Sequence, residues 1–199
     1  MDRPAHVEED SDEDLMLAYA KGDLQAFARL YDRHEGGVFR FIARSVAPLS
    51  GHGVVDELHQ EVWFAVTRQA TRYEPSARFA TWLYTIARHR VIDHVRRLKP
   101  TQGPLRSLDD EDEQALAESL AADLANEPLQ QLETRQRALA FLAAVDELPA
   151  EQREAFLLQA EADMSLQDIA AATGVGIETA KSRLRYARAR LRQALAAWL

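Results

Sequence analysis

The sequence contains no cysteine, which excludes a disulfide framework, a thiolate nucleophile and any cysteine-based metal site. Eight glycines and seven prolines in 199 residues are too few for a chain dominated by turns. No long Val/Ile/Thr alternation is present, so a sheet-based architecture is not expected. No apolar run approaches the roughly 18 residues that a membrane helix needs, and the N-terminus lacks a cationic start leading into an apolar stretch. The expectation is a cytoplasmic chain with neither signal peptide nor membrane span. Also missing are a glycine-rich phosphate loop and a metal-ligand cluster, and the carboxylates sit mainly in tails. An enzyme on a helical scaffold therefore finds little support, and no cofactor or metal is expected. What is present is 47% hydrophobic residues among many Ala, Leu, Glu, Gln and Arg, the composition of an all-α protein.

The formal net charge of −8 argues superficially against a nucleic-acid partner, but location matters more than the sum. Asp2, Glu8, Glu9, Asp10, Asp12, Glu13 and Asp14 crowd the N-terminus. The run Asp109-Asp110-Glu111-Asp112-Glu113 opens an acidic middle, and residues 107–133 contain no Lys or Arg. By contrast, Arg88, Arg90, Arg96, Arg97 and Lys99 form one basic island, and Lys181, Arg183, Arg185, Arg188, Arg190 and Arg192 form another.

Hydrophobic periodicity predicts four helices before the acidic middle and four after it. The first starts near Leu15 and pauses at Lys21-Gly22-Asp23, where Asp23 can cap the second. Gly36-Gly37 lies inside that second helix and weakens the case for an unbroken one. The third spans residues 55–72 and the fourth 79–98, the latter stopping before Pro100 as the restriction on the preceding residue requires. The resulting division is an acidic arm (1–12), a four-helix domain (13–99), an acidic linker (100–133) with a possible short helix at 115–124, and a second four-helix domain (134–199). In the second domain, helices are expected over 135–147, from Pro149 to about residue 162, and over 177–198. Between the last two, Ser165 caps a short helix with Asp168 three residues on, an acidic capping box.

The stretch from Leu166 through Gly174 to Leu184 has helix-turn-helix spacing. Small Ala170 permits close crossing and Gly174 supplies a left-handed turn. Ile169, Val175, Ala180 and Leu184 would form the shared core, and Ala180, Leu184, Ala187, Leu191 and Leu195 one buried stripe. Glu178, Ser182, Arg185 and Ala189 then face outward, with Lys181 and Arg188 beside them, as a helix entering the major groove requires. An amphipathic helix with a solvated basic flank is the bland alternative. The coincidence of basic flank, turn glycine and small-residue crossing favours DNA.

The first island interleaves aromatics and cations: Arg78-Phe79-Ala80-Thr81-Trp82-Leu83-Tyr84-Thr85-Ile86-Ala87-Arg88-His89. Helical projection gathers Trp82, Thr85, His89, Asp93 and Arg96 on one face and Leu83, Ala87, Val91 and Leu98 on another. Aromatics beside cations make a stacking platform for unpaired bases, at about 1–3 kcal/mol per stack. Spacing assigns Tyr84 to the core and leaves Phe79 and Trp82 open between core and platform. A lone His89 does not make a metal site.

With both islands in this order and separation, the chain resembles the minimal, extracytoplasmic-function (ECF) type of bacterial RNA polymerase sigma factor. Three stretches carry the resemblance: Val55-Asp56-Glu57-Leu58-His59-Gln60-Glu61-Val62-Trp63, the segment from Phe79 to Arg88, and Leu148-Pro149-Ala150-Glu151-Gln152-Arg153-Glu154-Ala155-Phe156 with the helix-turn-helix. The resemblance implies that Asp56, Glu57, Gln60, Glu61 and Trp63 contact the clamp of core RNA polymerase, with the flap as a further contact. Tyr73, Arg78, Phe79, Trp82, Thr85, His89 and Arg96 would open and hold the −10 element, with Phe79 stacking at the melting point. Glu178, Thr179, Lys181, Ser182, Arg183, Arg185 and Arg188 would meet the −35 duplex. It also implies an anti-sigma partner. Departures from the usual pattern are Asp56-Glu57 for Glu-Asp, Gly176 for a serine cap, Arg78 and Glu74-Pro75 in the loop, and the longer, more acidic linker. The competing reading is a polymerase-independent helix-turn-helix regulator on a palindromic site, which gives the Gln60-Glu61 helix and the aromatic-cation segment no task.

Overall fold

The computed structural model describes residues 10–46, 52–98 and 129–196, without the side chains of His52 and residues 129–134. Most of the acidic arm, the possible helix at 115–124 and nearly all of the acidic linker lie outside the described residues. Eight α-helices and one 3-10 turn make up the described chain, with no strand among them.

The first unit is α1 (Asp12–Ala20), α2 (Leu24–Val46), α3 (His52–Gln69), a 3-10 turn (Ala70–Arg72) and α4 (Phe79–Leu98). Ser11 caps α1 by accepting from the Asp14 amide at 3.1 Å, and three acids in the first turn complement the helix dipole. The helix stops at Gly22, whose φ of +106° suits glycine alone. Asp23 caps α2 as its position predicts, accepting from the amides of Gln25 at 2.9 Å and Ala26 at 3.3 Å. Helix α2 runs unbroken through Gly36 and Gly37. A Cβ at Gly37 would collide with the Tyr84 hydroxyl, so this glycine lets α4 approach α2 rather than ending a helix. Leu30, Val38, Phe41, Ile42, Val62, Val66, Leu83 and Ala87 fill the space between α2, α3 and α4.

The second unit is α5 (Leu129–Asp146), α6 (Ala150–Ala162), α7 (Leu166–Thr173) and α8 (Ile177–Ala194). The expected capping box is formed: Ser165 Oγ accepts from the Asp168 amide, and Asp168 Oδ2 accepts from the Ser165 amide, both at 3.1 Å. Gly174 ends α7 at φ +69°, and Gly176 starts α8 without a side-chain cap. Helix α8 stops at Ala194, short of the expected end near residue 198. Ala180, Leu184, Ala187 and Leu191 form its buried stripe as expected, while Leu195 is half-buried. The two units touch, with α6 lying against α2 and α4.

Candidate nucleic-acid interface

Helices α7 and α8 form the helix-turn-helix. The Val175 amide donates to Ala170 O at 3.0 Å and that of Gly174 to Ala171 O at 3.3 Å, closing the turn on the α7 carboxyl end. Ile169, Ala170, Ala180 and Leu184 are buried at the crossing, which fixes the rotation of α8. Its outer face then presents Glu178, Thr179, Lys181, Arg185 and Arg188, all exposed. Lys181 Nζ lies 3.5 Å from Glu178, and the Arg185 guanidinium sits 4.9 Å from the centroid of Tyr186. Ser182 is half-buried. Arg183 turns back to Glu151 at 3.5 Å, and Arg188 donates to Gln159 Oε1 at 2.6 Å. These two arginines tie α8 to α6, while Lys181, Arg185, Arg190 and Arg192 are also exposed on α8. Tyr186 and Ile177 are 52% and 47% exposed. Sequence periodicity did not single them out, although their offset from the buried stripe is the signal that places them outside.

The α4 site is built around an aromatic nest. Tyr73 packs edge-on to Trp82 at 5.0 Å and Phe79 at 6.1 Å, Phe79 lies 5.8 Å from Trp82, and the His34 ring lies 5.4 Å from Phe79. The Phe79 amide donates to Glu13 Oε1 at 2.6 Å, so an acid from α1 caps α4. That long-range cap left no trace in the local sequence pattern. Asp12 accepts from His34 at 2.6 Å and Arg33 at 2.8 Å. The His34 hydrogen bond, followed by that of Arg33, holds the Asp12 carboxyl below its ordinary value against the opposing effect of burial.

This geometry sets the depth of two of the expected site residues. Phe79 is fully buried and Tyr73 nearly so, so neither offers a face to a base in this conformation. Burial, then the nearby charges of Glu13 and Asp12, pushes the Tyr73 phenol up to about 12, and its hydroxyl is buried without a hydrogen-bond partner. Trp82 and Thr85 are half-buried, and His89 and Arg96 are exposed on the same side of α4. Thr85 Oγ1 donates back to Thr81 O at 2.7 Å. Arg78, at the loop, is exposed and reaches Asp163 across the two units.

On α3, Asp56, Glu57 and Gln60 are exposed, and half-buried Glu61 lies 4.0 Å from Arg90 of α4. Trp63 lies inward. It is 6% exposed, its indole Nε1–H donates to His59 Nε2 at 3.1 Å, and it packs 4.8 Å from Tyr31. The exposed aromatic of that helix is its neighbour Phe64, at 59%, with Phe39 of α2 at 39% and against His59. A one-position offset in helical phase separates the two readings. Among the described residues no group of His, Asp and Glu is arranged to hold a metal, and no helix is long and apolar enough to cross a membrane.

The described residues are all helical, with a helix-turn-helix in one unit and an aromatic-cation helix in the other, an arrangement that suits a nucleic-acid-binding protein. Sigma-70 region 2 matches residues 30–101 and Sigma-70 region 4 matches residues 138–191. The chain is 33% identical to the ECF RNA polymerase sigma factor SigM of Mycobacterium tuberculosis over 94% of its own length and 86% of SigM. It is also 33% identical to the ECF RNA polymerase sigma factor RpoE of Cereibacter sphaeroides, over 86% of this chain and 87% of RpoE. Its fold is similar to that of CnrH in the complex of CnrH with the cytosolic domain of CnrY, with TM-score 0.61 and 24% identity over 94% of this chain and 99% of CnrH. The chain belongs to the ECF family of RNA polymerase sigma factors, proteins that direct transcription initiation.

Proposed function

We propose that the two units grip a promoter at two points while α3 holds core RNA polymerase. Asp56, Glu57, Gln60 and Glu61, joined by exposed Phe64, form the clamp-facing surface of α3. Trp82, Thr85, His89, Arg78 and Arg96 meet the −10 element, with Tyr73 and Phe79 supporting Trp82 from beneath. Extruding a base costs a few kcal/mol of stacking, which stacking on Trp82 and charge from the arginines offset. Glu178, Thr179, Lys181, Ser182 and Arg185 read or neutralise the −35 duplex, and Arg183 and Arg188 hold the recognition helix at its angle. In this reading the chain supplies promoter choice and no catalysis of its own, acts in the cytoplasm, and is held in check by an anti-sigma factor. RpoE of Bartonella quintana has been solved with the anti-sigma factor NepR.

The observation that carries the proposal is the presence, in one chain, of an exposed cationic face on α8 and an aromatic-cation face on α4. Core polymerase, the purified chain and a supercoiled promoter library, followed by sequencing of transcript 5′ ends, test it. Selective initiation at promoters sharing two spaced elements is expected. Failure to bind core together with unselective initiation would overturn it.

A further inference from the structure

Helix α4 begins without a cap of its own. Its first carbonyl acceptor belongs to Arg78, which takes the Trp82 amide at 3.2 Å, and an arginine side chain has donors only. No acid stands in the first turn of the helix. The first amides of a helix lack intrahelical acceptors. Here the Phe79 amide finds Glu13, 66 residues back, at 2.6 Å. The half-buried Glu13 carboxylate thus supplies the missing acceptor and a negative charge at the positive end of α4.

The turn that carries Glu13 is itself fastened. Asp12 accepts from His34 and Arg33. Asp10 pairs with Arg29 at 2.5 Å, and its carbonyl accepts from Arg33 at 2.9 Å. These polar anchors all lie on α2. Leu15 and Met16 are buried on the same helix, and α1 packs on α2, on the 3-10 turn and on α4. The start of α4 is therefore held to the frame of α1 and α2 rather than to the loop that precedes it. Trp82 stands one turn beyond the capped amide, with the rings of Phe79 and Tyr73 against its own. The direction of that first turn sets the direction of the indole. A binding group works only when it is held within roughly 0.5 Å of its productive position.

We infer that Glu13 is a positioning residue for promoter opening: it touches no DNA, but fixes the first turn of α4, and through it Trp82, at the angle from which an unpaired −10 base is taken. The cap stands on geometry alone; its role in opening rests on the assignment of α4 to the −10 element. Duplex binding by α8 and polymerase binding by α3 use other surfaces, so loss of the cap slows opening and leaves both intact. Position rather than charge is the requirement. Glu13→Gln keeps an acceptor oxygen at the same reach without the charge, whereas Glu13→Asp keeps the charge on a side chain one methylene shorter.

Full-length chains carrying Glu13→Gln, Glu13→Asp or Glu13→Ala, each labelled with nitrogen-15 phenylalanine, test both parts. In the free chain the Phe79 amide proton should resonate near the parent's position in Glu13→Gln. It should move upfield in Glu13→Asp and Glu13→Ala as its hydrogen bond is lost. With core polymerase and the strongest promoter recovered from the library, affinity for core and for the closed complex should match the parent in all three. Opening, followed by 2-aminopurine fluorescence in the −10 element, should be about tenfold slower in Glu13→Asp and Glu13→Ala and unchanged in Glu13→Gln. In a Trp82→Ala background Glu13→Asp should slow opening little further, because both changes act through one group. Glu13→Gln and Glu13→Asp carry the comparison even where Glu13→Ala is unstable. A Phe79 amide unmoved in Glu13→Asp overturns the cap whether or not polymerase binds. A shifted amide with normal opening, a Glu13→Gln chain as slow as Glu13→Asp, or equal losses in core affinity and in opening overturns the positioning role. A parent chain that binds no core overturns that role together with the promoter assignment and leaves the cap standing.

Discussion

At the scale of single residues, the aromatic nest under α4 separates what spacing can assign from what it cannot. Trp82, Phe79 and Tyr73 share one cluster, and only the depth of each decides its task. Tyr73 carries a buried hydroxyl with no partner, and a buried unsatisfied polar group costs about 1–3 kcal/mol. Tyr73→Phe should therefore leave the fold as stable or raise it by about 1 kcal/mol, measured by urea denaturation; a loss of stability would mean that the hydroxyl has a partner after all. Asp12 behaves in the opposite sense. His34, then Arg33, holds its carboxyl below the ordinary 3.8, so its stabilising contribution is fully present above that value. It is lost as pH falls through the lowered folded value. Asp12→Asn should cost about 1 kcal/mol at pH 7 and nothing at a pH below both values. An equal deficit at both pH values would assign the effect to packing rather than charge.

At the scale of elements, most helix positions and types were legible in the sequence, because caps and periodicity are local. The Ser165-Asp168 box, the Asp23 cap, the Gly174 stop and the Ala180-Leu184-Ala187-Leu191 stripe all stand where spacing put them. What was not legible depended on partners far along the chain. The need for glycine at position 37 comes from Tyr84, and the cap of Phe79 depends on Glu13. The inward turn of Trp63 depends on His59 one helical turn before it, a pairing that helical phase alone does not distinguish from an outward one. Gly174 shows how local a requirement can be. A Cβ there meets nothing within 4 Å, so Gly174→Ala should cost only the left-handed backbone conformation, about 1–2 kcal/mol. Differential scanning calorimetry reads this, and an unchanged Tm would show that the turn relaxes. On α8, Lys181→Ala and Arg185→Ala should each weaken binding to the −35 duplex and lower the slope of log affinity against log salt by about one. Arg183→Ala removes a residue turned toward Glu151, so its main effect should be on stability, with little change in that slope. A slope change equal to that of Lys181→Ala would put Arg183 on the DNA instead.

At the scale of the whole molecule, α6 belongs to two structures at once. Inside the second unit it packs on α8, with Ala155, Leu158 and Ala162 buried. Where the two units meet, its outer edge reaches α2 and α4 through the Arg40–Glu161 and Arg88–Glu154 pairs beside apolar contact. The two kinds of contact respond differently to salt. Apolar burial is not weakened by it, while attraction between partly exposed charges decays over a Debye length that shrinks from about 10 Å at 0.1 M to about 3 Å at 1 M. The Arg40 side chain is 63% exposed and that of Asp163 91% exposed, so those pairs are screened readily. The Arg88–Glu154 pair, at 15% and 23%, is screened less. Coupling between the units should therefore fall with salt while each unit keeps its own core. Thermal unfolding followed by calorimetry should show one cooperative transition at low salt and two resolved transitions near 0.5 M. The Glu154→Arg and Glu161→Arg chain should show two at every salt concentration. If the low-salt transition is already split in the parent chain, the charged joint does not couple the units. If a single transition persists at 0.5 M and in the reversed chain, apolar contact around Phe41 and Val91 holds the units together instead.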